Sequence, residues 1–310
     1  MSVATAILVE ADQMMKGVDS PMPKSKGRKP KPASRAVKKP SLGRNGYDPG
    51  QLGIPPQLIA NMLAAAPPDQ LVEMLPPMLW LHHSAGVQAN MCVSAALTLA
   101  NAYELIGIQA RPTAVELIIS HRTRGELTRY GGGGASWDGD SFNGHCVLWL
   151  PGSGRWIDAT VMQYPEVRAS MPLPVVGRMA GSVGGSAASR SALAEGRLTP
   201  GIHMAVPREE LTLDYTVIEG SEVIITGAHA IASDIAQRFR GGGINLVSAA
   251  LEWWRKPGIV ERVRDAPYPR LHALLAAIGD APVHRDADDD WFFETTPGTH
   301  VRVDEMLTTT

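Results

Sequence analysis

Residues 144–158 read GHCVLWLPGSGRWID, and this stretch decides the fold that the sequence predicts. Two short apolar runs flank a Pro-Gly-Ser-Gly turn, a pattern that is typical of a β-hairpin. A four-residue loop pairs Leu150 with Arg155, and a two-residue loop gives the same pairing. In that register His145 and Asp158 are diagonal neighbours on one face, roughly 7 to 8 Å apart. A three- or five-residue loop would put them on opposite faces.

A cysteine opens a predicted helix well before this hairpin. Cys92 lies at the start of an apolar-periodic segment, 90–106, and Gly107 supplies its stop signal. The positive end of a helix dipole favours thiolate over thiol. Cys92, His145 and Asp158 therefore predict a nucleophile, a general base and an orienting carboxylate that together attack acyl groups. Each has an ordinary alternative: a small buried side chain, a hydrogen-bonded core histidine and a turn-capping carboxylate.

An acyl-transfer site also needs hydrogen-bond donors for the oxyanion that develops on the carbonyl oxygen. The backbone N–H of Cys92 is one candidate, and the side chain of Gln88 or Asn90 is a second. Amides just before a helix serve equally well as caps, so both interpretations stay open. His82 and His83 have no Cys or Glu at metal-ligand spacing, and we predict no metal site.

The composition of the chain is ordinary for a globular protein. It has 310 residues, 44% of them hydrophobic, and a net charge of −2 at pH 7, so it has no overall attraction to nucleic acid or membrane. Two cysteines do not form a disulfide framework, and strand alternation turns Cys146 away from the face of His145. No apolar stretch reaches the roughly 20 residues that span a bilayer, and no basic region of a secretory signal begins the chain. We therefore expect a cytoplasmic protein.

The N-terminal segment carries the strongest charge bias. Between residues 20 and 45 there are nine Lys or Arg, five prolines and no acidic residue. Such a segment cannot bury enough apolar surface to offset its chain entropy, so we predict that residues 1–50 are disordered. The basic run 20–45 predicts either a plain solvated linker or a weak contact with nucleic acid or an anionic surface.

The rest of the chain predicts helices, strands and irregular segments in alternation. Residues 128–143 contain four consecutive glycines and predict a loop, and 171–200, rich in Gly, Ser, Ala and Pro, predicts a flexible insertion. The glycines at 241–243 predict the end of a helix over 228–240. The other predicted elements are helices at 57–65, 68–75, 245–254 and 268–278, a strand at 111–120, two strands within 211–226 and a hairpin at 291–303.

About a quarter of the chain, residues 86–164, resembles the transglutaminase-like branch of the papain-like cysteine enzymes. The family typically shows a cysteine at a helix start, then Gly-Ile-Pro-Ala-Arg, His-Ala-Trp and Trp-x-Asp-Pro-Thr. The matching pieces are Cys92, GIQAR at 107–111, Gly-His at 144–145 and WIDAT at 156–160. The departures are Gln109 for Pro, Cys146-Val147 for Ala-Trp and Ala159 for Pro.

The resemblance implies an α+β fold in which the nucleophile helix packs on an antiparallel β-sheet that carries His145 and Asp158, with additional C-terminal helices. It also implies a thioester intermediate and no cofactor. The chain then divides into a disordered basic segment, 1–50, a transglutaminase-like catalytic core, 51–226, with the 171–200 insertion, and a helical C-terminal extension, 227–310.

Two function hypotheses follow. The first is a cysteine hydrolase or acyltransferase that acts through Cys92 on an amide or related acyl bond of a peptide, protein or small amide. The family includes peptidases, amidases, deamidases, crosslinking acyltransferases, arylamine acetyltransferases and inactive members, so the fold does not decide the substrate. The alternative is a catalytically inactive scaffold that binds a partner through its basic segment and C-terminal helices, where the run Trp253-Trp254-Arg255-Lys256 is typical of interface anchors.

Overall fold

The computed structural model describes residues 56–83, 91–132, 134–138, 141–170, 173–178, 183–219, 233–285, 291–303 and 305–306. The predicted disorder of residues 1–50 and the basic run 20–45 lie outside these described residues. The described part mixes helices with a curled antiparallel sheet, which confirms the α+β class. No helix in that part is long and apolar enough to cross a membrane.

The helices of the described residues include several that begin at a proline, where the missing N–H costs no helical hydrogen bond. They are α1 (Pro56–Ala65), α2 (Pro68–His83), α3 (Cys92–Leu105), α4 (Pro165–Ser170), α5 (Ala187–Ala194), α6 (Ser233–Trp254), α7 (Val260–Arg264) and α8 (Pro269–Ile278). Helix α2 runs past its predicted end through Pro76 and Pro77, and every residue from 70 to 81 is buried. This burial outweighs the loss of two backbone donors.

The main sheet has eight strands, and each of its pairings is antiparallel. These strands are β1 (Arg111–His121), β2 (Leu127–Tyr130), β5 (His145–Leu150), β6 (Arg155–Asp158), β7 (Val175–Arg178), β8 (Val183–Gly184), β9 (His203–Arg208) and β10 (Leu211–Val217). Their order is β7-β6-β5-β1-β10-β9-β8. The first half of β1 pairs with β5 and its second half with β2, while β10 lies on its other edge.

Two small sheets complete the described strands. A two-stranded hairpin consists of β3 (Ser136–Asp138) and β4 (Ser141–Asn143). A three-stranded sheet consists of β11 (Val283–Arg285), β12 (Trp291–Thr296) and β13 (Thr299–Arg302). The predicted final hairpin at 291–303 is thereby confirmed.

The hairpin that the first stretch of sequence predicts is present with the predicted register. Strands β5 and β6 pair Leu148 with Ile157, Trp149 with Trp156 and Leu150 with Arg155. Every residue of both strands is buried, because β1 and β7 flank them and helices cover them. This register puts the two ends that carry His145 and Asp158 at the same end of the hairpin.

The prediction that a helix ends at the glycines 241–243 is wrong. Helix α6 continues through all three to Trp254, because they lie where it crosses α3. A Cβ at Gly243 would lie 2.8 Å from Cβ of Asn101 and 2.9 Å from the backbone nitrogen of Ala102. Glycine here permits a close approach of two helices, and the helix pays its propensity cost for that contact.

Two other sequence predictions differ from the structure. Strands β2, β3 and β4 occupy much of the predicted loop 128–143, and β7, β8 and α5 occupy much of the predicted irregular segment 171–200. Of the two strands predicted within 211–226, the first is present as β10, which pairs with the preceding strand β9, and residues 220–226 lie outside the described residues. Pro207 in β9 weakened the strand signal of that segment, since proline lacks a ladder donor.

The C-terminal helices share one hydrophobic core with the sheet. That core includes buried residues from Ile59 to Met306. The indole of Trp254, at the end of α6, donates to the carbonyl of Leu71 in α2 at 3.2 Å. Helices α6 and α3 therefore belong to one packed unit.

A buried ion pair joins α2 to the hairpin. The guanidinium of Arg155 binds the carboxylate of Glu73, and both side chains are at most 1% exposed. The hydroxyl of Tyr268 donates to the same carboxylate, and that of Tyr103 donates to the carbonyl of Glu73. These partners satisfy charges that would otherwise be costly to bury.

Candidate active site

Cys92 is the first residue of α3, and its side chain is 4% exposed. The amide groups of the first helical turn have no partner within the helix, so they are available as hydrogen-bond donors at this end of α3. The thiol lies near His145, because it contributes to the raised pKa of that histidine. Helix α3 packs on β5, the strand that begins with this histidine.

His145 and Asp158 lie in direct contact in the buried interior. Nε2 of His145 is 2.6 Å from Oδ2 of Asp158, and both side chains are fully buried. The two residues are diagonal neighbours across β5 and β6, as the sequence predicts, and the hairpin register therefore determines this contact. It also leaves the other ring nitrogen, Nδ1, for groups on the opposite side of the imidazole.

Asp158 accepts hydrogen bonds at both carboxylate oxygens. Oδ2 also accepts from the hydroxyl of Tyr215 on β10 at 3.0 Å. Oδ1 accepts from the backbone nitrogen of Thr160 at 3.0 Å and from its hydroxyl at 3.3 Å. These bonds hold the carboxylate in one orientation, which orients the imidazole in turn.

The environment of His145 favours the imidazolium ion. Burial opposes the charged ring, but the charge and hydrogen bond of Asp158, with a further contribution from Cys92, raise the pKa of His145 to about 10. At neutral pH the protonated ring donates from Nε2 to Asp158. A thiolate next to a protonated imidazole is the reactive pair of cysteine nucleophiles.

Two residues that the sequence reasoning missed face Nδ1 of His145. The hydroxyl of Tyr164 lies 2.9 Å from Nδ1, and Nε2 of Gln163 lies 3.4 Å from it. Burial raises the pKa of Tyr164, and so does the nearby charge of Cys92. Both residues follow the hairpin in a 3₁₀ turn, Val161–Gln163, and its C-cap. No spacing in the sequence signals their position, because this turn folds back over the histidine.

The aromatic ring of Tyr130 packs against Tyr164. The rings of Tyr130 and Tyr164 are 3.9 Å apart between centroids. The hydroxyl of Tyr130 donates to the carboxylate of Glu166 in α4, at 3.0 Å to Oε2. Burial and this carboxylate raise the pKa of Tyr130. These contacts fix the Tyr164 ring beside the histidine.

The remaining predicted residues have different outcomes. The candidate oxyanion donors Gln88 and Asn90 lie outside the described residues. Cys146 is buried and is a free thiol, as is Cys92. Burial, followed by the charge of Cys92, raises the pKa of Cys146, which keeps it neutral at ordinary pH.

Metal ligands are scarce in the described residues. His82 and His83 are exposed at the end of α2. Within the described ranges no three side chains of His, Cys, Asp or Glu are grouped so that they could hold a metal ion.

No family model, no curated protein and no solved structure matches this chain. The similarity to cysteine enzymes therefore consists of the order and spacing of residues given above.

Proposed function

We propose that this chain is a cysteine-dependent hydrolase or acyltransferase that attacks an amide or related acyl bond through Cys92, His145 and Asp158. The observation that carries the proposal is the buried imidazole of His145, held at 2.6 Å by the carboxylate of Asp158 and lying within reach of a thiol at a helix start. A papain-like or transglutaminase-like core is part of the same proposal. Its support is the order of a nucleophile helix, a histidine strand and an aspartate strand.

The proposed reaction has two steps. The Cys92 sulphur forms a bond to the acyl carbon while the bond from that carbon to the amine breaks, and His145 gives its proton to the departing nitrogen. Water or an acceptor amine then attacks the thioester, with His145 taking its proton. The sulphur leaves as thiolate, so the starting state is restored. Asp158 orients the ring and stabilises the imidazolium.

The developing oxyanion needs at least two donors. The backbone N–H of Cys92 at the start of α3 is the first candidate. The side-chain amide of Gln163, which lies beside the imidazole, is an additional candidate to Gln88 and Asn90. Removal of one such donor typically slows acyl transfer by about 10² to 10³-fold.

The test is acyl transfer from p-nitrophenyl acetate, followed by release of nitrophenolate and by peptide mapping of the acetylated cysteine. We expect a burst that equals the enzyme concentration and an acetyl group on Cys92. Cys92→Ser should slow the reaction by about 10⁴-fold or more, and His145→Ala should do the same.

The matched control is a second imidazole–carboxylate pair. Nε2 of His121 lies 2.8 Å from Oε2 of Glu210. His121 is the last residue of β1, at the opposite end from the residues of β1 that pair with β5. His121→Ala removes a ring of the same type and should leave the burst unchanged. A burst that persists in Cys92→Ser would refute the proposal.

A second candidate, a catalytically inactive scaffold that binds a partner, is favoured by one observation. Cys92 is only 4% exposed, and the Tyr164 hydroxyl already occupies Nδ1 of His145 at 2.9 Å. A scaffold of this kind would show no burst and slow, ordinary alkylation of Cys92. The same assay therefore separates the two candidates.

A further inference from the structure

A small apolar cluster surrounds Cys92 and is distinct from the main core. Its other buried members are Val93, Ala96, Ala114 and Cys146, and its partly buried members are Leu97, Ala135, Trp137, Phe142 and Ile218. None of these side chains carries a charge at neutral pH. We call this set the thiol cluster. Its partly buried members leave apolar surface accessible at the edge of the cluster that contains Cys92.

The β3–β4 hairpin holds the two aromatic members of the thiol cluster in place. Trp137 pairs with Phe142 in the strand register, and their ring centroids are 5.2 Å apart. Gly144 links this hairpin to His145 with a φ of 149°, which is unfavourable for other residues. A Cβ at Gly144 would lie 3.0 Å from two carbons of the Phe142 ring. The aromatic pair therefore packs directly against the chain that enters the histidine strand.

We infer that the thiol cluster is the acyl-binding pocket of Cys92, and that the acyl group it accepts is an uncharged aliphatic or aromatic chain. This inference rests on the proposed function, because it assigns the substrate class of the same thiol. An acyl chain on the sulphur would cover the exposed edges of Trp137 and Phe142 and remove their surface from water. Each methylene buried in this way favours binding by about fourfold.

Charged acyl groups fit the thiol cluster poorly. A carboxylate or ammonium in this position would lose its hydration, and apart from the indole N–H of Trp137 the side chains that surround Cys92 in this cluster are apolar and uncharged. A methyl group in the same position has no favourable hydration to lose when it leaves water. The pocket therefore selects against charge as well as for apolar length.

The first experiment measures alkylation of Cys92, which reports on the pocket without requiring turnover. Iodoacetamides with N-ethyl, N-butyl and N-hexyl chains each form a bond from sulphur to carbon and release iodide. We expect the second-order rate constant to rise with chain length, by up to about fourfold per methylene. The same six-carbon chain ending in a carboxylate should react at least tenfold more slowly than N-hexyl. Peptide mapping assigns the label to Cys92.

Variants show whether the aromatic pair provides the selectivity. Trp137→Ala and the milder Phe142→Leu should flatten the chain-length dependence, measured as a smaller ratio of the N-hexyl to the N-ethyl rate constant within each variant. The control is Leu127→Ala, because Leu127 is a large apolar residue on β2 that is 62% exposed and lies outside the cluster. It should leave the whole series unchanged.

The second experiment repeats the series with p-nitrophenyl acetate, butanoate and hexanoate. Cys92 takes the acyl group, nitrophenolate leaves, and water releases the carboxylic acid and restores the thiol. Chain preference in alkylation without any Cys92-dependent ester turnover would refute the proposed enzyme and leave the pocket standing. Equal alkylation rates across the chains, a preference for the carboxylate-ended chain, or a slope unchanged in both variants would overturn the pocket.

Discussion

Asp158→Asn should destabilise the protein in a strongly pH-dependent way. The substitution keeps the size and hydrogen-bonding shape of the side chain but removes the charge that faces the buried imidazole of His145 at 2.6 Å. Because the folded protein raises the pKa of His145 from 6.5 to about 10, the protonated ring contributes stability. That contribution is complete below the unfolded-state pKa of about 6.5 and is lost as pH rises through about 10.

The magnitude follows from the size of this shift. Each pKa unit corresponds to about 1.4 kcal/mol, so the pair contributes about 4 kcal/mol at pH 7. In Asp158→Asn the ring loses the group that raises its pKa most and keeps only the smaller contribution of Cys92, so most of this stability disappears. Tyr164 and Tyr215, which also face the pair, have raised pKa values and stay neutral across this range. The stability difference should therefore shrink to the pH-independent cost of altered hydrogen bonds, about 1 kcal/mol, near pH 10.

The assay is urea unfolding of the native chain and the variant at intervals from pH 6 to pH 10. Asp214→Asn is the control, since Asp214 is a half-buried residue of β10 whose neighbours in register are Ile118 and Ala205. It makes the same chemical change beside apolar residues and should show a small difference that does not vary with pH. A difference between Asp158→Asn and the native chain that is equally large at pH 6 and pH 10 would refute the reasoning.

Two further substitutions test the packing that supports the site. Gly243→Ala should lower stability by about 1 to 3 kcal/mol, because a Cβ there would lie 2.8 Å from the facing helix. Gly241→Ala is the control: its Cβ position has open space around it, so the substitution should raise stability by up to about 1 kcal/mol. Equal shifts of the melting temperature in both variants would contradict the helix contact. Glu73→Gln should cost about 3 to 5 kcal/mol, because the buried guanidinium of Arg155 then keeps only the more distant and partly exposed carboxylate of Asp69, at 3.8 Å, as its counter-charge. Urea unfolding measures this cost. A loss below about 1 kcal/mol would mean that the ion pair of Arg155 and Glu73 contributes little to the free energy of unfolding.

Local sequence patterns predicted the elements that carry the candidate site. The turn between β5 and β6 determines which residues pair, so the sequence alone predicts the diagonal contact of His145 with Asp158. The apolar period of α3 and its glycine stop likewise predicted a helix that begins near Cys92. These features depend on neighbours in sequence, and propensity and periodicity describe such neighbours well.

The surroundings of the site could not be predicted in the same way. Tyr164 and Gln163 reach Nδ1 of His145 because a 3₁₀ turn folds back after β6, and Tyr215 reaches Asp158 from a strand that is distant in sequence. The apolar rings of Trp137 and Phe142 lie in a hairpin, whereas the glycine-rich sequence predicted a loop for this segment. Each contact depends on how separate elements pack, and no local pattern encodes that packing.

The sequence by itself determined the hairpin register, the helix start and hence the order of thiol, imidazole and carboxylate along the chain. The tertiary structure alone decided that α6 passes through three glycines to pack on α3, and that tyrosines, an amide and apolar rings surround the imidazole and the thiol. The physical reason is the range of the forces involved. A turn or a helix start follows from the conformations of adjacent residues, whereas a close helix crossing or a closed polar network exists only where distant segments meet at atomic contact.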